Sequence, residues 1–398
     1  MMDPGSAAQI PFSMLVVFAS AKLLSEVFER VGQPGIVGEI LAGVLIGPYV
    51  LGWLAPNEVL SILSDLGVMF LLFRVGLEVK ASELMKVGGT ALVVALAGVI
   101  LPFFMGWGIC TLWGEPRIES IFTGAAMVAT SVGITAQVLA ARGLLDRRAS
   151  KIILAAAVVD DVLGLIVLAF VSGLARNSVQ YLDLAITGTL AMGFTLLIAK
   201  FGTRTVARVI PRVQANMNLA EAEFALAMTL LFGLSLLAVY AGVAAIIGAF
   251  LAGMALSETV DHRVSVLTNG VAELLVPFFL AGIGMHLSFS SFSSLSKIGL
   301  GLVILVAAVL SKFVGCGIGA VRLGRKDAIR VGVGMVPRGE VGMVVAQIGL
   351  RMGVMHESIY GIIVFMSVAT TLIAPPLLKF AFHGETAEPA SEEIVRLG

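Results

Sequence analysis

Residues 152–170 read IILAAAVVDDVLGLIVLAF, an apolar run that is interrupted only by the adjacent aspartates Asp160 and Asp161. A second apolar stretch contains a single lysine, Lys312. Apolar runs of this length are typical of membrane-spanning helices. A charge at the middle of a bilayer costs roughly 2.5–3.5 kcal/mol, so membrane proteins retain such charges mainly for ion or proton chemistry. These three residues are therefore predicted to form a functional site inside the membrane.

The composition places the whole chain in the same class. Of its 398 residues, 58% are apolar and 13% are charged, whereas soluble domains carry about 25% charged residues. The 26 basic and 26 acidic residues balance, so nothing indicates a nucleic-acid partner. Two cysteines lie far apart and four histidines are scattered, so no cofactor, metal framework or disulfide is predicted. The expected partners are membrane lipids and transported ions.

Segments of about 20 apolar residues predict an all-α polytopic membrane protein with about thirteen spans. We place them at 8–29, 36–54, 59–78, 87–113, 119–141, 150–175, 181–207, 221–241, 243–257, 265–286, 293–321, 327–350 and 358–381.

The distribution of basic residues predicts the orientation of these spans. The loops after the odd-numbered spans, together with the C-terminal end, carry 18 lysines and arginines, and the opposite loops carry 4. Basic loops stay on the cytoplasmic side. The N-terminus is therefore expected outside and the C-terminus in the cytoplasm. The short tail after the last span favours the plasma (inner) membrane of a prokaryote as the location.

Two short strings recur at nearly the same spacing. Residues 40–45 (ILAGVL) match 250–255 (FLAGMA) at an offset of 210, and 75–79 (VGLEV) match 283–287 (IGMHL) at 208. An odd number of spans separates the copies, which predicts two inverted five-helix repeats, the architecture of secondary transporters. The alternative is coincidence between glycine-rich apolar strings, which are common in membrane helices.

The repeat divides the chain into five predicted parts. They are an N-terminal helix (1–35), a first repeat (36–175), a linker helix with a basic loop (176–219), a second repeat (220–382) and a disordered tail (383–398).

The repeat also places two interrupted, crossing helices at matching positions. Residues 129–133 read ATSVG and residues 336–340 read VPRGE. Interrupted helices in corresponding places of two halves indicate a transport site, so Thr130, Ser131, Gly133 and Pro337 become candidates. The alternative for Thr130 and Ser131 is a packing kink, in which the hydroxyls bond to their own helix.

Charged residues flank the second interruption. Glu340 is predicted at the start of the second half-helix, where the helix dipole favours a carboxylate. Arg338 is expected to pair with Glu340 or with a cytoplasmic acid. Glu39 and Glu78 are lesser candidates for the site.

The two aspartates cannot share one partner, because adjacent residues of a helix diverge by about 100 degrees. One is predicted to pair with a base such as Lys312, and the other to face water and bind a cation or a proton. The alternative is a structural salt bridge with the second aspartate merely hydrated. Carboxylate, hydroxyl and carbonyl oxygens suit hard cations, which favours Na⁺ or Li⁺. Competition between a proton and a metal ion for one carboxylate would couple their fluxes in opposite directions.

Several of these motifs together resemble the monovalent cation:proton antiporter-2 family, and most closely its NapA-type Na⁺/H⁺ antiporters. The motifs are residues 34–43 (PGIVGEILAG) with Gly47-Pro48, Thr130-Ser131, residues 159–164 (VDDVLG), Lys312 and residues 335–340 (MVPRGE).

The resemblance implies an NhaA/NapA-like fold and a homodimer, in which a six-helix core moves like an elevator against a dimerisation domain. It implies that Asp161 is the principal carboxylate for the proton and for the metal ion, Na⁺. It also implies that Asp160 and Lys312 form a proton-sensitive salt bridge, that Thr130 and Ser131 line the site, and that exchange is electrogenic.

Other functions fit the sequence less well. A K⁺/H⁺ antiporter of the same family is the main alternative, and an ion channel or membrane sensor is a weaker one, since no carbonyl filter or ring of charges is evident. The H-E-x-x-H motif of a metalloprotease is absent, and no enzymatic activity is predicted.

Overall fold

The computed structural model describes residues 6–31, 33–175, 181–214, 221–287 and 294–385. The predicted tail (383–398) falls mostly outside these ranges, as do parts of the predicted linker. The described ranges contain fifteen α-helices: α1 (Ser6–Arg30), α2 (Gly35–Ile46), α3 (Glu58–Glu78), α4 (Ala81–Trp113), α5 (Arg117–Val128), α6 (Val132–Ala141), α7 (Arg148–Ala175), α8 (Tyr181–Gln214), α9 (Ala222–Tyr240), α10 (Ala245–Leu256), α11 (His262–Met285), α12 (Leu295–Gly319), α13 (Arg325–Gly334), α14 (Gly339–Arg351) and α15 (Glu357–Ala381).

The lengths and apolar character of these helices suit a bilayer. Ten helical stretches in the described part of the chain are long and apolar enough to cross a membrane, counting α5 and α6 as one. In lipid, backbone polar groups must be satisfied within the protein, and helices do this locally. The chain is thus an all-α polytopic membrane protein, as predicted.

The second predicted span ends earlier than expected. The sequence predicts a span at 36–54, but α2 stops at Ile46. Gly47 has φ −66° and ψ 173°, the extended conformation that a following proline imposes, and residue 48 is Pro48. The freed carbonyls of Leu45 and Ile46 instead accept hydrogen bonds from the loop amides of Leu51 and Leu54, both at 3.0 Å.

Two predicted spans are interrupted, as the sequence indicates. The span at 119–141 consists of α5 and α6, separated by residues 129–131. The span at 327–350 consists of α13 and α14, separated by residues 335–338. A buried apolar cluster joins the last turn of α5 to α12, α14 and α15 through Met127, Ile304, Val345 and Ile363, so the first interruption is anchored by the core.

Glycines bring α2 and α11 into close backbone contact. A Cβ atom on Gly43 would overlap the carbonyl oxygen of Ala281, and one on Gly284 would overlap the carbonyl oxygen of Ile40. Only glycine permits this approach at either position.

An equivalent contact joins α3 and α10. A Cβ atom on Gly253 would overlap the carbonyl oxygen of Phe73, and one on Gly76 would overlap that of Phe250. Each of these residues corresponds to one in the α2–α11 contact at an offset of 208 or 210. The symmetry of the two contacts supports the predicted inverted repeat, because both matching strings make the same interaction.

Gly253→Ala is expected to destabilise the protein by roughly 1–3 kcal/mol, the usual cost of overpacking, because a backbone carbonyl cannot rotate away from the added methyl group. Thermal unfolding in detergent, followed by tryptophan fluorescence, measures the effect. Gly233→Ala on α9 is the matched control, since a Cβ there meets nothing within 4 Å. Equal melting temperatures for the two variants would contradict the close contact.

Candidate functional site

The two helix interruptions meet at one place. The backbone N–H of Ser131, in the first interruption, donates to the carbonyl oxygen of Pro337, in the second, at 2.8 Å. The hydroxyl of Thr135 donates to the carbonyl oxygen of Gly334 at 2.7 Å. Pro337 has no N–H to donate, yet its carbonyl forms part of this link. Backbone groups that no helix satisfies are therefore concentrated where the half-helices cross.

Gly339 has a backbone conformation that the crossing requires. Its φ of +49° lies in the left-handed region, which favours glycine. A Cβ atom at this position would lie 2.5 Å from the Cβ and Oγ atoms of Ser131. The close approach of α14 to Ser131 thus depends on the missing side chain.

Arg338 is fully buried beside the crossing. Its guanidinium donates to the carbonyl oxygens of Ala308 at 2.9 Å and Ala129 at 3.4 Å. Ala129 is the C-cap of α5, so the positive charge lies at the negative end of that helix dipole. Glu340 is the second residue of α14. Its side chain lies outside the described residues, so its predicted pairing with Arg338 stays a prediction.

Asp160 and Lys312 form a buried ion pair. The Nζ atom of Lys312, on α12, lies 2.7 Å from Oδ1 of Asp160, on α7, and both side chains are fully buried. The second carboxylate oxygen of Asp160, Oδ2, has no hydrogen-bond partner among the described residues. The predicted pairing of one aspartate with Lys312 is present in the structure.

Asp161 has a different environment, as the helical geometry predicts. It is half-buried and lines two small cavities on opposite sides along α7. One, of about 10 Å³, also contacts Leu154 and Val132. The other, of about 50 Å³, also contacts Asp160, Gly164 and Ala129. Asp161 thus lines both spaces beside the first interruption, and the smaller has about the size of one water molecule.

The remaining candidates in the first interruption differ in their roles. Thr130 is buried, and its hydroxyl has no hydrogen-bond partner within the part of the chain that the structure describes, so this oxygen is available to a ligand. Ser131 is also buried. Gly133 is the second residue of α6 and lies in ordinary contact with Val68 and Phe279, which is a packing position.

Glu39 and Glu78 are not part of this cluster. Both line a separate cavity of about 840 Å³, at the ends of the helices where the basic loops lie. Glu39 is buried and its Oε1 atom accepts from Nζ of Lys22 at 3.0 Å. Its Oε2 atom and the Oε1 atom of Gln137, which lines the same cavity, are buried without a partner among the described residues.

Sequence reasoning misses two features of the crossing. Thr135 is not a candidate by sequence, because a threonine in an apolar helix usually bonds to its own helix, whereas here it bonds to Gly334. The carbonyl partners of Arg338 carry no side-chain signal at all. The two interruptions at matching positions of the predicted repeat are the sequence signal for this region.

Comparisons with known proteins agree with the architecture. Residues 15–383 match the family model described as "Sodium/hydrogen exchanger, transmembrane". The chain is 35% identical to the Na(+)/H(+)-K(+) antiporter GerN of Bacillus cereus, covering 93% of this chain and 96% of that protein. It is 34% identical to the high-affinity Na(+)/H(+) antiporter NhaS3 of Synechocystis, covering 98% and 93%.

A solved structure shows the same fold. The sodium proton antiporter MjNhaP1 from Methanocaldococcus jannaschii at pH 8 aligns with a TM-score of 0.68 and 16% identity, covering 95% of this chain and 97% of that one. The relatives are described as antiporters rather than enzymes. The predicted membership in an antiporter family is confirmed, whereas the finer NapA-type assignment stays a prediction. The chain belongs to the transmembrane sodium/hydrogen exchanger family.

Proposed function

We propose that this protein exchanges Na⁺ or Li⁺ for H⁺ across the membrane by alternating access, with Asp161 as the carboxylate that binds either ion. The observation that carries the proposal is the position of Asp161 between two cavities, beside the crossing of the interrupted helices. The names of the relatives, which are Na⁺/H⁺ antiporters, support the same reaction.

The pairing of Asp160 with Lys312 favours Asp161 as the ion-binding group. The carboxylate of Asp160 already has a cation, Lys312, at 2.7 Å. The hydroxyl of Thr130 adds an oxygen without a described partner close to the first interruption. A carboxylate with neutral oxygens forms a hard ligand set, which suits Na⁺ or Li⁺. A proton bound to the same carboxylate excludes the metal ion, and this competition couples the two fluxes.

Access to Asp161 differs between the two sides. On the side of the basic loops, the 840 Å³ cavity reaches Gln137 and Val138 of α6. Val132 borders the 10 Å³ cavity at Asp161. It lies less than two helical turns from Gln137 on the same helix. The space that follows Asp161 along α7 is the cavity of about 50 Å³. The arrangement supports a state that opens toward the side predicted to be cytoplasmic.

Further properties belong to the same proposal. We infer electrogenic exchange in which the Asp160–Lys312 pair takes part in proton binding. We also infer a homodimer in a prokaryotic inner membrane, with the N-terminus outside and a core that moves as an elevator. The symmetric glycine contacts of α2, α3, α10 and α11 support the division into two repeats, at 36–175 and 220–382.

A K⁺/H⁺ exchanger is the second candidate. The specific observation in its favour is that GerN, at 35% identity, is described as a Na(+)/H(+)-K(+) antiporter. The oxygen ligands of the site also suit K⁺. The choice of ion therefore has to be measured.

Proteoliposomes with an acidic interior and a pH-sensitive dye test the function. Addition of Na⁺ or Li⁺ is expected to release internal protons at a rate well above that of protein-free liposomes, and K⁺ is expected to act more weakly. Valinomycin with balanced K⁺ in the Na⁺ arm clamps the membrane potential. A faster rate under the clamp indicates electrogenic exchange. A response to K⁺ alone supports the second candidate, and no response to any cation contradicts both.

A further inference from the structure

The backbone of α4 lies directly against the buried ion pair. A Cβ atom on Gly98 would lie 2.6 Å from Sγ of Cys316 and 3.2 Å from Nζ of Lys312. The first distance is far below the van der Waals contact distance of a carbon and a sulfur atom. The second is slightly shorter than an ordinary van der Waals contact. Gly98 therefore faces the ammonium group and the fully buried Cys316 thiol.

This part of the α4–α12 interface has little freedom to open. Lys312 and Cys316 lie one turn apart on the same face of α12. In the same turn, a Cβ on Gly315 would lie 2.7 Å from the carbonyl oxygen of Ala97, and one turn further a Cβ on Gly319 would lie 2.7 Å from Cα of Val94. Close contacts thus continue along α4 and α12 beyond Gly98. A side chain at Gly98 would therefore require the two helices to move apart over several turns.

The same ammonium group also contacts a carboxylate. Nζ of Lys312 lies 2.7 Å from Oδ1 of Asp160, so the group has both that carboxylate and the α4 backbone as neighbours. A methyl group at position 98 would take space from the ammonium or from the Cys316 sulfur. Displacement of the sulfur would in turn press on the neighbouring turn, which bears Lys312.

We propose that Gly98 is a positioning residue for the Asp160–Lys312 ion pair, and that its missing side chain sets the distance between the two charges. The proposal rests on the proposed function, in which this pair takes part in proton binding. Electrostatic attraction falls with distance, so a displaced ammonium is expected to change the pH at which exchange is half-maximal. A residue with only a packing role would change protein yield or the overall rate, and would leave that pH unchanged.

Gly98→Ala tests the idea in proteoliposomes, with exchange measured from pH 6 to pH 9. The pH at half-maximal Na⁺-dependent exchange is expected to move by about one unit, the size of a modest change in charge interaction. Gly108→Ala on the same helix is the matched control, because a Cβ there meets nothing within 4 Å, and it should retain the wild-type profile. An unmoved half-maximal pH in folded Gly98→Ala, whatever its rate, would overturn the proposal.

A second pair of variants tests the proposal if Gly98→Ala does not fold. Cys316→Ala removes the sulfur and leaves room for a methyl group, so Gly98→Ala/Cys316→Ala keeps only the 3.2 Å approach to Nζ. Its half-maximal pH is expected to differ from that of Cys316→Ala alone, and identical profiles would refute the positioning role. If wild type shows no cation-dependent proton movement, the proposed function fails instead, so the two failures remain distinct.

Discussion

Asp161→Asn is expected to reduce Na⁺- and Li⁺-dependent proton movement to the rate of protein-free liposomes. Asparagine keeps the size of the side chain but neither binds a proton at working pH nor carries the charge that attracts a cation. The other aspartate is not expected to substitute, because Asp160 is fully buried and paired with Lys312 at 2.7 Å. The measurement is dye-reported proton release after each cation is added.

The fold should survive this change. Asp161 is half-buried, and removal of a charge from a membrane helix lowers an insertion cost of roughly 2.5–3.5 kcal/mol. Asp146→Asn is the matched control, since this aspartate is 86% exposed and its ion pair with Lys151 belongs to a class worth about 0–1 kcal/mol. Wild-type exchange is expected in that control. Retained Na⁺-dependent exchange in Asp161→Asn would refute the role of Asp161 as the carrier.

Much of the site could be predicted because charged residues are costly, and therefore rare, in membrane-spanning helices. Asp160, Asp161 and Lys312 stand out in apolar helices, and the 100-degree divergence of adjacent residues is enough to separate the roles of the two aspartates. In the structure Asp160 pairs with Lys312 and lines one of the two cavities, whereas Asp161 lines both. The interruptions are also visible in the sequence, since a proline and paired hydroxyl residues are uncommon features of apolar spans.

Features that depend on which backbones approach each other could not be predicted. The sequence suggests an acid as a partner of Arg338, which stays untested, and it does not indicate the carbonyl oxygens of Ala129 and Ala308 that the guanidinium binds. Any residue can supply a carbonyl, so the sequence holds no sign of these partners. Gly98 is likewise one of 45 glycines, and only the packing of α12 against α4 distinguishes it from Gly108.

The acids at the crossing and the acids of the 840 Å³ cavity cannot be told apart by sequence. Glu39 and Glu78 are intramembrane or interfacial carboxylates like Asp161, and the same cost argument applies to all three. The structure places Glu39 and Glu78 in the 840 Å³ cavity, away from the crossing. Their position follows from the packing of α2, α3, α6 and α11, and no local sequence pattern predicts that packing.

Lys312→Met is expected to destabilise the protein by roughly 3–5 kcal/mol, the usual cost of leaving one partner of a buried ion pair uncompensated. Methionine keeps the unbranched shape of lysine, so the change removes the charge with little loss of packing. The Asp160 carboxylate would remain fully buried, with Oδ2 already lacking a partner among the described residues. Thermal unfolding in detergent, at several pH values, measures the loss.

Two comparisons separate the effect of charge from that of shape. Lys297→Met removes a lysine whose ion pair with Glu115 has nearly the same length, 2.8 Å, but is partly exposed. Water still reaches both groups, so a smaller loss than that of Lys312→Met is expected. Asp160→Asn in the Lys312→Met background should restore most of the stability, because the buried carboxylate that lost its lysine is then removed as well. If the double variant instead melts no higher than Lys312→Met alone, the destabilisation comes from lost packing. In that case the idea that Lys312 compensates the buried charge of Asp160 is wrong.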